Sequence, residues 1–249
     1  MGLARRPASG LADRVLPPPL YRAVKYVFAQ EISGCMLVGG TALSGYYAGH
    51  RRSDDLDLFT MDAISQEESV RAVKSLRDLG VGFAGERTSK HFYHALCHFD
   101  GHDFTCQVVL DANLFDVGSA SEADDGVAVA DLETLLKMKA ATLVSRGAEK
   151  DLYDLVWLLE QANTVDIPAL IALGSEIDGG MNAEGVLINL AGTELHESAC
   201  DFSLTEPAHE VYAKVTRLRK ALIQGLDDFL RGQPPPPIAA LVRKLEPLR

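Results

Sequence analysis

The run Cys35-Met36-Leu37-Val38-Gly39-Gly40-Thr41-Ala42-Leu43, continued by His50-Arg51-Arg52-Ser53-Asp54-Asp55-Leu56-Asp57-Leu58-Phe59, decides how this chain is read. Met36 to Val38 is apolar, too short for a helix and stopped by a glycine pair, which predicts a buried strand ending in a tight turn. Thr41 stands where an N-cap would open a helix over Ala42 to Ala48, and the unpaired N–H groups of such a helix start suit phosphate. On the strand that follows, side chains two apart share a face, so Asp55 and Asp57 point one way while Leu56 and Leu58 point into the core. Two carboxylates on one face repel unless a cation joins them. Hard oxygen ligands of this kind suit Mg²⁺ or Mn²⁺, with substrate phosphates completing the coordination.

Either half of that pattern is commonplace alone, since a glycine pair is usually only a turn and Asp-x-Asp usually a solvated strand face. A second charged pattern lies further on. Asp131 caps a predicted helix running through Leu132, Leu135, Leu136, Met138, Leu143 and Val144 to a stop at Gly147, and another helix begins within Glu149-Lys150-Asp151 and runs through Leu159. Lys139 and Arg146 are seven residues apart, two helical turns, and so are expected on one face; Lys150 and Asp154 are one turn apart. On an isolated helix these would be solvated charges or an i,i+4 pair worth a few tenths of a kcal/mol, on the order of 0.3.

Gly-Gly-Thr, a helix-length spacer and then Arg51-x-Ser53-x-Asp55-Leu56-Asp57-Leu58 resembles the nucleotidyltransferases of the DNA polymerase β superfamily, most closely the branch containing the AbiEii/AbiGii toxins of phage-defence and toxin–antitoxin systems. Lys139-Ala-Ala-x-x-x-x-Arg146-Gly147-x-x-Lys150-Asp151-x-x-Asp154-Leu155 resembles that family's second motif, and the two motifs frame about half of the chain. The resemblance implies an α/β (α+β) polymerase β-like core with a small mixed sheet at 20–160, a helical lobe at 161–232, and a proline linker with a basic tail at 233–249.

It also implies roles. Asp55 and Asp57 would hold the metal, Gly39, Gly40 and Thr41 the outer phosphates of an NTP, and Arg51, Ser53, Arg146 and Lys150 would join in binding the nucleotide. Lys139 would offset developing negative charge; Asp151 or Asp154 would orient Lys139 or Arg51, or act as the acceptor's base. With Leu135, Leu136, Met138, Leu143 and Val144 forming the apolar face of its helix, Lys139 is expected to matter to catalysis more than to stability. The reaction implied is NMP transfer from an NTP to an acceptor hydroxyl of tRNA, protein or a small molecule, with a cognate antitoxin as partner if the protein is a toxin.

One position departs from the family. Phe92 to Phe99 and Phe104 to Leu110 read as a hairpin around Asp100-Gly101-His102-Asp103. The relatives carry a third carboxylate on such a strand, and the residue best placed for it here is Gln107, a neutral and poorer ligand, with Asp103 or Asp111 as substitutes only in another register. An alternative function therefore stands beside the enzyme: a nucleotide-binding or interaction protein of the same fold with impaired catalysis. His91, His94, His98 and His102 of the same hairpin lack cysteine or carboxylate partners at a ligand spacing and are read as surface residues.

The remaining chain sets limits. A length of 249 residues with 47% hydrophobic and 24% charged residues fits an ordinary globular protein of one or two domains, and a net charge of −11 argues against nonspecific nucleic-acid binding as the main activity. Cys35, Cys97, Cys106 and Cys200 show no CxxC or metal spacing, which implies reduced core thiols in a cytoplasmic protein, and no apolar stretch is long enough to span a bilayer. Met1 to Pro19 reads as a loose arm, Leu20 to Gln30 and Ser65 to Leu79 as amphipathic helices, and Ala112 to Val129 as a surface loop. Ile167 to Leu173, Glu184 to Leu190 and Pro207 to Leu230 are expected to be helical, followed by the stiff Pro234 to Pro237 and a basic amphipathic segment from Ile238 to Arg249.

Overall fold

A computed structural model describes residues 3–245. It divides into two compact units, one spanning Arg5–Leu135 and the other Leu136–Arg249 together with Met1–Ala4. The division falls inside a helix, earlier in the chain than the boundary after residue 160 expected from the motifs.

The first unit is built on a seven-stranded mixed sheet: β1 (Cys35–Leu37), β2 (Asp55–Thr60), β3 (Gly82–Thr88), β4 (Phe92–Phe99), β5 (His102–Leu110), β6 (Ala120–Glu122) and β7 (Ala128–Ala130), ordered β3-β4-β5-β2-β1-β7-β6. β1 runs antiparallel to β2 and β2 parallel to β5. The alternation expected of β2 holds, with Leu56 and Leu58 fully buried and Asp55 and Asp57 half-buried on the other face. On β5, Phe104, Cys106 and Val108 are buried likewise. Helices α2 (Pro18–Phe28) and α3 (Ala63–Lys74) pack on β2 and β5, and the apolar face of α2 supplies Leu20, Val24, Val27 and Phe28 to this core. Pro18 lies in the first turn of α2, where its missing N–H costs nothing.

Several expectations are corrected. Within the stretch read as a loose arm, of which the first two residues lie outside the described ones, Ser9–Val15 forms α1 and Pro18 already begins α2. The reason is packing: Leu16 lies so close to Gly45 that a Cβ there would meet Leu16 Cδ1 at 2.9 Å, and Leu11 lies over Gly49. α3 is opened by Asp62, whose carboxylate accepts from the Ser65 N–H, and it ends at Lys74, with a 3₁₀ segment continuing over Ser75–Leu79. β3 went unrecognised, because Gly82, Ala84, Gly85 and the exposed charges after them carry no apolar alternation. Residues 112–129 are not a bare loop: Asp111 caps α4 (Ala112–Val117), and β6 and β7 form a hairpin at the sheet edge.

That hairpin's tip is tied down. Asp125 accepts hydrogen bonds from the hydroxyls of Tyr21 at 2.9 Å and of Tyr46 at 3.1 Å, the latter side chain having no exposed surface. Burial first, and the nearby carboxylate second, keep both phenols protonated far above their ordinary range.

In the second unit α5 (Leu132–Thr142) gives way to α6 (Glu149–Gln161), α7 (Ile167–Ile177), α8 (Ala183–Gly192), α9 (Ala208–Leu230) and α10 (Ile238–Lys244). α9 is the centre, packed against α6, α7, α8 and α10. Gly225 of α9 permits close approach, since a Cβ there would lie 2.8 Å from Ile167 and 2.9 Å from Leu241. The segment after the prolines is docked, with Ile238 fully buried and its N–H donating to Val165 at 2.9 Å; the chain beyond residue 245 lies outside the described residues.

The Asp125 tie yields a stability prediction. Asp125→Ala should destabilise the fold by roughly 1–3 kcal/mol, because it leaves the buried Tyr46 hydroxyl without its acceptor. Adding Tyr46→Phe should recover part of that loss. Urea unfolding of the single and double variants decides it; a double variant weaker by the full sum of the two singles would mean that the hydrogen bond is not the cause.

Candidate functional site

The glycine pair is where β1 turns toward β2. Gly39 adopts φ +70, and Gly40 is already helical at φ −66, so the helix starts at the glycines. Thr41 is therefore inside the first turn and not its N-cap: no side-chain cap bond is made, and its fully buried hydroxyl donates to the Asp55 carbonyl and lies 3.0 Å from Ser53 Oγ. Its work is to tie the helix to the carboxylate strand. Thr41–Ala48 is π-helical, with the Gly49 N–H reaching Ser44 O at 2.8 Å, and the Ser44 hydroxyl in turn donates to the Arg51 carbonyl.

Both glycines are needed for lack of space. A Cβ on Gly39 would stand 2.5 Å from Asp57 Oδ2, and one on Gly40 would collide with the Arg51 guanidinium and come within 2.8 Å of Ser53 Oγ. Gly39, Gly40, Thr41, Arg51, Ser53, Asp55 and Asp57 are thus brought together in one unit, as their sequence pattern predicts. Arg51 and Ser53 are buried, while Asp55 and Asp57 keep partial exposure.

Register answers the question of the third carboxylate. Asp57 pairs with Gln107 across the parallel strands, and Asp55 with Thr105. Asp103 shares the face of Thr105 and Gln107 but lies beyond Asp55 and holds His98 Nδ1 at 2.6 Å; Asp111 is occupied in capping α4. Among the described residues no three His, Cys, Asp or Glu side chains form a metal cluster. Asp55 and Asp57 alone do fit a hard dication that takes its remaining ligands from phosphate and water, the usual arrangement for Mg²⁺. The thiols do not compete: all four are buried and free, and burial pushes those of Cys35 and Cys97 up to about 12.

Two neighbours of the carboxylates were not anticipated. Thr105 Oγ1 donates to Asp55 Oδ1, and His102 Nε2 lies 3.2 Å from Asp54 Oδ1. The signal for Thr105 was its place two residues from Gln107 on the same face; nothing in the sequence signals the His102 contact.

The second motif is assembled within the other unit. Lys139 Nζ lies 2.7 Å from Asp151 Oδ1 and 2.8 Å from Asp154 Oδ2, with Lys139 8%, Asp151 5% and Asp154 0% exposed. Arg146 Nε reaches Asp151 Oδ2 at 3.1 Å, although α5 ends at Thr142 and Arg146 lies in the turn beyond it, not on the helix face expected. Lys150 is exposed, and Asp154 pairs with Lys139 in place of the one-turn partner.

This burial revises the expectation that Lys139 contributes little to stability. Removing it takes this cation from the fully buried Asp154 and leaves Asp151 to Arg146, and breaking a buried ion pair from one side typically costs about 3–5 kcal/mol. Lys139→Ala should therefore lower the denaturation midpoint substantially, and Lys139→Ala combined with Asp151→Asn and Asp154→Asn should recover much of the loss. Equal midpoints for Lys139→Ala and wild type would show that the ion cluster carries no net stability.

A family model described as "Nucleotidyl transferase AbiEii toxin, Type IV TA system" matches residues 22–240. No curated protein matches the chain. Among solved structures, the nucleotidyltransferase toxin MenT4 from Mycobacterium tuberculosis H37Rv is similar at 17% identity and a TM-score of 0.52, with 96% of this chain and 99% of that one covered. JHP933 from Helicobacter pylori is similar at 17% identity and a TM-score of 0.49, over 90% of this chain and 97% of that one. The expected fold class is borne out by the mixed sheet and by the MenT4 likeness.

Proposed function

This chain belongs to the AbiEii nucleotidyltransferase toxin family, and from that premise we propose that it moves an NMP from an NTP to an acceptor hydroxyl with Mg²⁺ or Mn²⁺ at Asp55 and Asp57. The family places it among the nucleotidyltransferases of type IV toxin–antitoxin systems, enzymes that generally use divalent metals. The observation that carries the reading is the seating of Asp57 against Gly39, which sets a carboxylate pair beside the start of a helix.

Each residue has a proposed task. Gly39, Gly40 and Thr41 within the first helical turn would receive the outer phosphates through backbone N–H groups, with the buried Arg51 beside Gly40 and Ser53 fixing its neighbourhood. Asp55, aligned by Thr105, and Asp57 would hold the dication, which when bound would draw charge from the phosphoryl oxygens. Lys139, Arg146, Lys150, Asp151 and Asp154 are proposed to serve the same reaction on the match of their pattern to the family's second motif. Lys139 would offset negative charge, and Asp151 and Asp154 would hold it in place. The functional core would span 20–160, followed by a helical lobe at 161–232 and the linker and tail at 233–249.

The type IV family implies an NTP substrate and a cognate antitoxin. The acceptor would be tRNA, protein or a small alcohol, and the place of action the cytoplasm; no helix among the described residues is long and apolar enough to cross a membrane. A second reading, nucleotide binding with impaired transfer, draws on Gln107 standing opposite Asp57.

Two measurements follow from these assignments. In calorimetry, NTP affinity should rise with Mg²⁺ and be lost in Asp57→Asn; binding that ignores both metal and mutation would refute the assignment. Because a neutral amide replaces a carboxylate, manganese titration with bound nucleotide should find one tight ion and one weak one, and Gln107→Asp should tighten the second. Two tight ions in the wild type would mean that Gln107 is not the deficit it resembles.

A further inference from the structure

The carboxylate face of the sheet carries a row that crosses four strands: Asp57 of β2, Gln107 of β5, His94 of β4 and Arg87 of β3, each directly opposite the next. Side chains opposed in this way have Cβ atoms about 4.5–5.5 Å apart, so His94 and Gln107 are within reach of each other. His94 is half-buried, not the surface residue expected of it, and its ring lies 19° from that of Phe92 with centroids 6.1 Å apart. Its Nδ1 is shut off from water and has no hydrogen-bond partner among the described residues. Leaving a shielded polar atom unpaired costs roughly 1–3 kcal/mol, a penalty that vanishes once a neighbour turns to pair with it.

The neighbours decide which role that nitrogen takes. A neutral imidazole has one nitrogen that donates and one that accepts. His98, on the same face, has the Asp103 carboxylate 2.6 Å from its Nδ1 and donates from that atom. His94 has no carboxylate directly opposite it: Arg87 on one side is exposed and only donates, and Gln107 on the other carries an amide. Nδ1 of His94 is therefore set to accept, with the ring proton on Nε2.

Gln107 has two unlike ends, and its use depends on how it is turned. With its NH₂ toward Asp57 it would donate to that carboxylate and compete with a cation; with its oxygen on that side it adds a neutral ligand to one. An acceptor on β4 favours the second arrangement, because the amide nitrogen is then engaged on the side away from Asp57. We infer that His94 is a positioning residue whose Nδ1 accepts a hydrogen bond from the Gln107 amide and so turns the Gln107 carbonyl oxygen toward a dication beside Asp57. The inference rests on the metal-dependent reading of Asp55 and Asp57 and deepens it: the pair supplies with an oriented dipole part of what a third carboxylate would supply with charge. Partners that orient a metal ligand commonly set affinity by about 10–100-fold. Were His94 only a packing partner of Phe92, a phenylalanine would serve as well.

The test uses the full chain, an α,β-methylene NTP and Mn²⁺, with free Mn²⁺ read by electron paramagnetic resonance so that no turnover is needed. The wild type should bind one tight ion and one weak one. His94→Phe, which keeps the stack on Phe92, should retain the melting temperature and weaken the second ion about tenfold or more while leaving the first within about twofold. His94→Asn, whose Oδ1 can stand where Nδ1 stands, should restore the second ion. In Gln107→Asp, where a carboxylate has no NH₂ end to turn away, adding His94→Phe should weaken nothing further. An equal loss in both His94 variants, an unchanged second ion in His94→Phe, a loss that persists beside Gln107→Asp, or a wild type that takes a single ion would each overturn the inference. Asp57→Asn that binds nucleotide and both ions as the wild type does would instead sink the metal reading on which it rests.

Discussion

The contact on which the first unit depends is between a carboxylate and a glycine that has no side chain. Asp57 Oδ2 occupies the space a Cβ of Gly39 would need, and this closeness brings the strand bearing Asp55 and Asp57 against the point where a helix begins. Two carboxylates sharing a strand face in partial solvent repel each other, and in an interior of reduced dielectric the repulsion grows. The surrounding bonds hold them in place nevertheless. Thr41 grips the Asp55 carbonyl, Thr105 donates to the Asp55 carboxylate, and Ser44 fixes the Arg51 carbonyl.

How much of this was legible follows from the period of each element. β2 and β5 alternate cleanly, so their faces and their burial could be read from residue types alone, whereas Gln107 was singled out by the family resemblance and its pairing with Asp57 comes from the strand register. The calls that failed are those where glycine or short polar side chains act through space. α1 looked like a proline-rich arm because its partner is the glycine face of the π-helix, distant in sequence and silent in composition. Thr41 looked like a cap because threonine after a turn usually is one. The helix started two residues early because Gly39 can take φ +70, and the hydroxyl was freed for a buried bond.

The second motif failed differently. Lys139, Asp151 and Asp154 do stand together, but spacing on a helix reports azimuth and not depth. The apolar residues around Lys139 suggested a cation at the margin of a core, whereas it sits inside, between carboxylates 5% and 0% exposed. Arg146 reaches the same carboxylate from beyond the end of α5, which helical geometry could not predict.

Such a buried cluster constrains what the lysine can do. Two carboxylates in contact with one ammonium hold it in place, which suits a fixed positive charge. Preorganised charge costs stability only if it is left uncompensated, and here the same two aspartates that hold the lysine in place also neutralise it. Stability and the proposed chemistry would then make the same demand on these residues, so an activity loss in any one of them carries meaning only beside its unfolding curve. Gln107 stands apart from that cluster: it is half-buried on β5 opposite Asp57 and sets the charge that faces the carboxylate pair. The difference between a competent and an impaired enzyme is therefore best read at that position.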